Sequence, residues 1–239
     1  MELSFLLETM LAVAKGVPTT LSLVVLALLL GAPLSIALAM VARSRSVFFR
    51  SWAHGYVFVF RGTPLLVQIF IIYYGLAQFE FFRTSVVWPL LKQPFWCAVL
   101  ALALNTGAYG SEIVRGAIAS IPAGQIEAAR ACGMSGLLLA RRVITPLAFR
   151  IGLPMYGNEV ILMIKATSLA STITLMDITG VASELNSVTF RAFEVFGVAG
   201  AFYLGINLIA AQSFKWLEHA LMPERRPHRD TFSSAARQR

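Results

Sequence analysis

From Val17 to Ala42 the chain carries no ionisable residue. A bilayer crossing takes about 20 mostly apolar residues. In lipid every backbone N–H and C=O must find its partner within the segment, so such a run is helical. Four more runs have this character: one within Tyr56–Phe82, with Arg61 near its start, then Phe95–Ile118, Leu153–Leu175 and Phe193–Leu217. Together they predict an all-α membrane protein with five transmembrane helices. Charged residues make up 13% of the 239 positions, against about 25% in soluble domains, so no sizeable soluble domain accompanies the spans.

The cations orient the helices. Arg43, Arg45 and Arg50 lie in the first loop, Arg83 and Lys92 in the second, and Arg130, Arg141, Arg142 and Arg150 in the third. The fourth holds Arg191 with Asp177 and Glu184, and the tail carries Arg225, Arg226, Arg229, Arg237 and Arg239. Lys and Arg collect in cytoplasmic loops. The first loop, the third loop and the tail are therefore expected in the cytoplasm, and the N-terminus outside. This divides the chain into an external segment at 1–15, a transmembrane domain at 16–220 with a cytoplasmic loop at about 120–146, and a disordered tail at 221–239. The net charge of +8 is explained by the same loops, and no nucleic-acid motif accompanies it. Glu2, Glu8 and Lys15 replace the basic region of a secretory signal, so the first run is expected to be retained. Cys97 and Cys132 fall at different expected depths and predict neither a disulfide nor a metal site. His54, His219 and His228 form no ligand cluster.

The third loop has its own helical chemistry. In "SIPAGQIEAARACGMSG" Pro122 sits near a first helical turn, Gln125–Ala131 are good helix formers, and Gly133 suits a left-handed C-cap. Ser135 is placed to cap a second short helix, expected to end before Pro146. Two short helices joined at a glycine make a compact knob.

The spacing Glu127-Ala128-Ala129, then Gly133, then Val143-Ile144-Thr145-Pro146 resembles the EAA loop of bacterial ABC-importer permeases, with Val143 and Thr145 as mild departures. "FRGTPLLVQIFIIYYGL", "LALNTGAYGSEIVRGAIASIPAGQIEAA" and "LPMYGNEVILMIKATSLAS" are similar to the polar amino-acid branch of that family. Within it they resemble the membrane subunits for histidine, arginine, lysine and ornithine, or for opines such as octopine and nopaline. The resemblance covers about residues 16–220. It implies the type I permease fold in the bacterial inner membrane, with two five-span subunits forming the pathway. This chain is then expected to pair with a second, homologous permease subunit as a heterodimer. A dimer of ATPase subunits binds ATP and Mg, an external solute-binding protein delivers the solute, and this chain holds no cofactor. It further implies that Glu127, Ala128, Ala129, Gly133 and Pro146 belong to a coupling element that docks on the ATPase. Glu127 either pairs with a basic residue there or lies on a solvated helix face.

Ionisable groups within spans usually face a cavity or a partner. Asn105, Tyr109 and Glu112 recur at i, i+4 and i+7, on one helix face. Arg115 follows Glu112 by three and is expected to pair with it. Asn158, Lys165 and Ser168 share another face, with Glu159 beside it. Asn105, Tyr109, Asn158, Glu159, Lys165 and Ser168 are therefore the candidate substrate path. Glu159 has two readings: a carboxylate for a cationic solute, or a bond between helices. Gly62 and Pro64 exclude a regular helix through "RGTP". Either the second span begins after Arg61, leaving the guanidinium at the cytoplasmic interface, or the span is broken there; the first is expected, because Thr63–Phe82 is long enough on its own and arginine snorkels to an interface. The first span reads as lipid-facing. In the fifth, Gly197, Gly200 and Gly205 suggest close helix contact.

No Walker A sequence is present, so hydrolysis must come from a partner. An intramembrane enzyme would need a nucleophile–base pair or a metal motif on a span, and neither appears. A passive channel would need a charged ring or carbonyl filter and would have no use for a docking knob.

Overall fold

The computed structural model describes residues 3–221, and every regular element within them is helical. The tail expected to be disordered lies, from 222 onward, outside the described residues. In chain order the helices are α1 (Leu3–Ala14), α2 (Val17–Val41), α3 (Val47–Gly62) and α4 (Leu65–Phe70), the last continued by a π turn and a 3₁₀ turn to Gln78. Short helices α5 (Glu80–Arg83) and α6 (Trp88–Leu91) lead to α7 (Pro94–Ala119). Then come α8 (Ala123–Ala131), α9 (Gly136–Leu139), α10 (Thr145–Ala166), α11 (Ile178–Thr189) and α12 (Ala192–Leu221). By length and composition Leu3–Val41, Pro94–Ala119, Gly136–Ile173 and Ala192–Leu221 can cross a membrane. The bent pair Val47–Gly62 and Leu65–Gln78 makes a fifth when its two limbs are counted as one span.

Helix α2 packs along α7, and its inner face buries Leu23, Ala27, Ser35 and Leu38. This corrects the lipid-facing reading for one face of the helix; Leu21, Val25, Leu29, Ile36 and Met40 on the remainder stay exposed. Lipid tails are as apolar as leucine, so helices associate in a membrane through close packing rather than hydrophobic transfer. The α2–α7 seam is built for that. A Cβ at Gly107 would fall 2.6 Å from Leu34 Cδ2, and one at Gly31 2.9 Å from Thr106. Ser35 Oγ bridges the helices, donating to the carbonyl of Gly31 at 2.7 Å or of Thr106 at 3.1 Å. The central core adds Ile69, Ala98, Leu102 and Ile173 to Leu23 and Ala27.

Three further expectations change. The second span does not begin after Arg61. It is broken at Thr63–Pro64, where both residues are extended and the limbs diverge by 105°. The limb Leu65–Gln78 alone falls short of the roughly 20 residues a crossing needs. The helix begun at Gly136 does not stop before Pro146 but runs on to Ile173. A π segment at Ala140–Ile144 precedes the proline, and such a bulge shifts the hydrogen-bond ladder where one partner is missing. Finally, a Cβ at Gly197, Gly200 or Gly205 would meet nothing within 4 Å, so these glycines form no close contact with another described helix.

At the other end of the bundle, α1, α11 and α12 share a small core of Val13, Ile178, Ala182 and Val195. Fully buried Asp177 caps α11: its Oδ1 accepts from Gly180 N at 2.8 Å, and its Oδ2 from Tyr203 Oη at 2.9 Å. Thr20 Oγ1 accepts from Ile178 N at 3.2 Å, tying α2 to the same turn. Burial lifts the Asp177 carboxyl above the ordinary range, while the bonds from Gly180 and Tyr203 pull it back.

Candidate functional site

The break at Pro64 organises one side of the bundle. Proline has no N–H, so the carbonyl of Phe60, four residues earlier, loses its helical donor. The Gln68 side chain replaces it. Its Nε2 lies 2.9 Å from Phe60 O, 3.1 Å from Thr63 O and 2.9 Å from Thr63 Oγ1. Asn105 on α7 adds Nδ2 contacts to Gln68 Oε1 at 3.2 Å and to Phe60 O at 3.4 Å. Gln68 is buried; four of its contacts hold a bend that the backbone alone leaves unsatisfied.

Two adjoining clefts open beside this bend. One, of about 470 Å³, is lined by Arg61, Thr63, Asn105, Tyr109, Glu159 and Leu162 among others. The other, of about 580 Å³, is lined by Arg61, Tyr109, Glu112, Pro154, Asn158 and Glu159 among others. Arg61, Tyr109 and Glu159 belong to both. The Arg61 guanidinium lies 5.0 Å from the Tyr109 ring centroid, a cation–π distance. Its Nη1 is 3.9 Å from Glu112 Oε2. Glu112 is bound more closely by Arg115, whose Nε donates to Oε1 at 3.0 Å. Half-buried Glu159 makes no hydrogen bond or ion pair among the described residues. The clefts thus combine a carboxylate that makes no hydrogen bond or ion pair but lies within the field of Arg61, a guanidinium shared with Glu112, an aromatic face and two amides. Such a set can meet both ends of a small zwitterion and a cationic side chain.

Of the six candidate path residues, Asn105, Tyr109, Asn158 and Glu159 come together here. Lys165 and Ser168 line neither cleft. Lys165 is exposed, and Ser168 Oγ donates to its carbonyl at 2.7 Å. Lys165 is six residues beyond Glu159, about 120° around the helix; Leu162, Met163 and Ala166 line the wall instead. Sequence reasoning missed Gln68 and placed Arg61 at an interface. The available signal was an amide in the apolar run "LLVQIF" directly after a helix-breaking proline.

The loop after α7 folds as a projecting knob. Ala129 and Leu139 are buried beneath it, while Glu127, Ala128, Gly133 and Pro146 are exposed. Gly133 adopts φ +78°. Its N–H donates to Arg130 O at 2.9 Å, and Met134 N–H to Ala129 O at 3.0 Å, closing α8 with a Schellman turn. Ser135 stands at the N-cap of α9, but its side chain makes no capping bond. Cys97 and Cys132 are both free, the first buried and the second exposed.

Comparison with known proteins places this arrangement among transporters. Residues 31–222 match the family described as "Binding-protein-dependent transport system inner membrane component". The octopine transport system permease protein OccM of Rhizobium meliloti is 56% identical over 225 residues, covering 94% of this chain and 92% of that protein. The nopaline transport system permease protein NocM of Agrobacterium fabrum is 48% identical, covering 95% and 94%. Among solved structures, an amino acid ABC transporter with histidines superposes with a TM-score of 0.82 at 34% identity, covering 92% of this chain and 99% of that one.

Proposed function

The chain belongs to the inner membrane components of binding-protein-dependent transport systems, and from that premise we propose that it moves a cationic amino acid or an arginine-derived opine. It is a multi-pass inner membrane permease subunit of the ABC type, for amino acids or opines. The observation that carries the finer reading is the unpaired Glu159 carboxylate on the wall shared by the two clefts. An anionic group in a partly dry cavity favours an ammonium or guanidinium, and a charge-assisted hydrogen bond there contributes about 1.5–3 kcal/mol. Arg61 and Tyr109 stand across the same space and suit a carboxylate end. Octopine and nopaline transport by the similar permeases supports this choice of solute.

The knob at about 120–146 is the proposed coupling element. Gly133 fixes its turn, Glu127 and Ala128 face the ATPase with Ala129 anchoring the helix from beneath, and Pro146 lies in the long helix that leads from the knob to the clefts. A lever of this kind transmits a rigid-body rotation from a docked domain to the spans. The knob and the C-terminal tail are assigned to the cytoplasm, residues 1–15 to the outer side, and 16–220 to the membrane domain. ATP and Mg bind to the ATPase subunits. A homologous second permease subunit completes the pathway, and an external binding protein delivers the solute.

The test is reconstitution. The chain is co-expressed with a homologous permease, an ABC ATPase and a solute-binding protein as candidate partners, and labelled arginine and octopine fluxes are measured in vesicles with and without ATP. ATP-dependent uptake supports the proposal; equal ATP-independent flux means a passive pore and refutes it.

A further inference from the structure

We propose that Gln68 is a positioning residue that fixes the polarity of the Asn105 amide, so that the cleft beside the bend receives an acceptor from Asn105 and selects donor-rich cationic groups. This rests on the function proposed above. It starts from Pro64, which leaves the Phe60 carbonyl without a backbone donor. Gln68 Nε2 faces two carbonyl oxygens, Phe60 O and Thr63 O, besides the Thr63 hydroxyl. Carbonyls only accept. The reversed amide would press Gln68 Oε1 against both, so Nε2 must point there and Oε1 must point to Asn105. The same reasoning then passes to Asn105. Its near neighbours on the bend, Gln68 Oε1 and Phe60 O, are both acceptors. Its Nδ2 is therefore committed to the bend. Its Oδ1 is left without a partner among the described residues, on a side chain that lines the cleft with Glu159.

The cleft thus offers two acceptors, Asn105 Oδ1 and the Glu159 carboxylate, and no side-chain N–H from Asn105. A guanidinium has only donors and meets both. The urea group of citrulline has nearly the same shape but carries an oxygen, which these two acceptors repel and which only the Arg61 side of the cleft can meet. Without Gln68, only the longer contact to Phe60 O, at 3.4 Å, still holds Nδ2, so the Asn105 amide turns more readily to offer Nδ2 to the cleft, and the penalty on citrulline falls. Gln68 touches no solute; it acts only through Asn105.

The experiment measures ATP-dependent uptake of arginine and citrulline by the reconstituted complex carrying the wild-type chain, Gln68→Leu, Asn105→Leu or Asn105→Asp. Gln68→Leu and Asn105→Leu are expected to lower the arginine-to-citrulline ratio about tenfold, one charge-assisted hydrogen bond's worth. Asn105→Asp keeps an acceptor on the cleft and adds a negative charge there, while setting its other oxygen against Gln68 Oε1 and Phe60 O; in assembled complexes it is expected to retain or raise the ratio. A purely architectural role predicts instead that Asn105→Asp and Asn105→Leu impair both solutes equally. If Gln68→Leu does not assemble, the two Asn105 variants decide by the same ratio. Wild-type discrimination that survives unchanged in Gln68→Leu or Asn105→Leu overturns the inference alone. A wild-type complex that takes citrulline as readily as arginine overturns the proposed function as well.

Discussion

Replacing Gly133 separates two reasons for its presence. At φ +78° it occupies the left-handed region, where a non-glycine residue costs about 1–2 kcal/mol. A Cβ built there meets nothing within 4 Å, so within this chain the whole cost is backbone. Gly133→Ala should therefore loosen the end of α8 without disturbing the buried Ala129 beneath it. If the knob must hold that turn to dock, affinity for the ATPase subunit should fall by about 5- to 30-fold, the equivalent of 1–2 kcal/mol. Asparagine and aspartate tolerate the left-handed region better than alanine. Backbone strain alone thus ranks Gly133→Asn as the mildest change, with Gly133→Asp close to it and Gly133→Ala the worst. If Gly133→Asp is instead the worst, the added carboxylate is meeting a partner surface that approaches the turn closely. The assay is capture of the ATPase subunit by detergent-solubilised variants, with uptake measured in parallel. Undiminished capture and uptake in all three variants would refute both the strain argument and the assignment of the knob.

Gly107→Ala places a methyl group on Leu34 in the α2–α7 seam; an overpacking cost of about 1–3 kcal/mol should lower the heat stability of the solubilised protein, and an unchanged melting curve would contradict the packing role. Asp177→Ala removes the α11 cap and a Tyr203 partner and should cost about 1–2 kcal/mol by loss of the cap, seen as faster proteolysis of the segment that carries α11. Because burial raises the folded Asp177 pKa, the folded protein binds the proton more tightly than the unfolded chain. Its contribution to stability is present at low pH and is lost as pH rises from the ordinary carboxylate range through the raised value; Asp177→Asn should flatten that dependence in melting scans. For orientation, Val86→Cys, at a position 97% exposed, should label from outside intact cells in a Cys132→Ser background. Ser135→Cys should label only after the cells are opened, and the reverse pattern would invert the topology.

Much of the fold follows from the sequence because the bilayer leaves apolar runs few options. The five spans and the knob are set by run length, by Pro122 and by Gly133, all local features. What was not legible is tertiary. Gly62 and Pro64 announce a break, but not that Gln68 and Asn105 stabilise a sharp bend there and carry Arg61 inward to Tyr109. Pro146 reads as a helix stop because proline lacks a donor, yet a π turn one step earlier lets the helix continue. Glycines in α2 and α7 and those in α12 look alike in sequence; only the neighbour on the other side distinguishes Gly107 from Gly200. At the candidate site, the 3.6 repeat placed Asn105, Tyr109, Asn158 and Glu159 correctly enough to meet. It could not say where the cleft ends, which is why Lys165 and Ser168 fall outside it.

The most direct measurement is ATP-dependent arginine and octopine uptake by the reconstituted complex with Glu159→Gln, alongside a count of assembled complexes. The substitution keeps the side chain's shape and removes its charge. If Glu159 meets the cationic end of the solute, apparent affinity falls about 10- to 150-fold, the equivalent of 1.5–3 kcal/mol, while the complex assembles in normal amounts and the ATPase stimulated by loaded binding protein declines in step. Normal assembly with uptake at the wild-type rate and affinity would contradict the solute path drawn through Arg61, Tyr109 and Glu159.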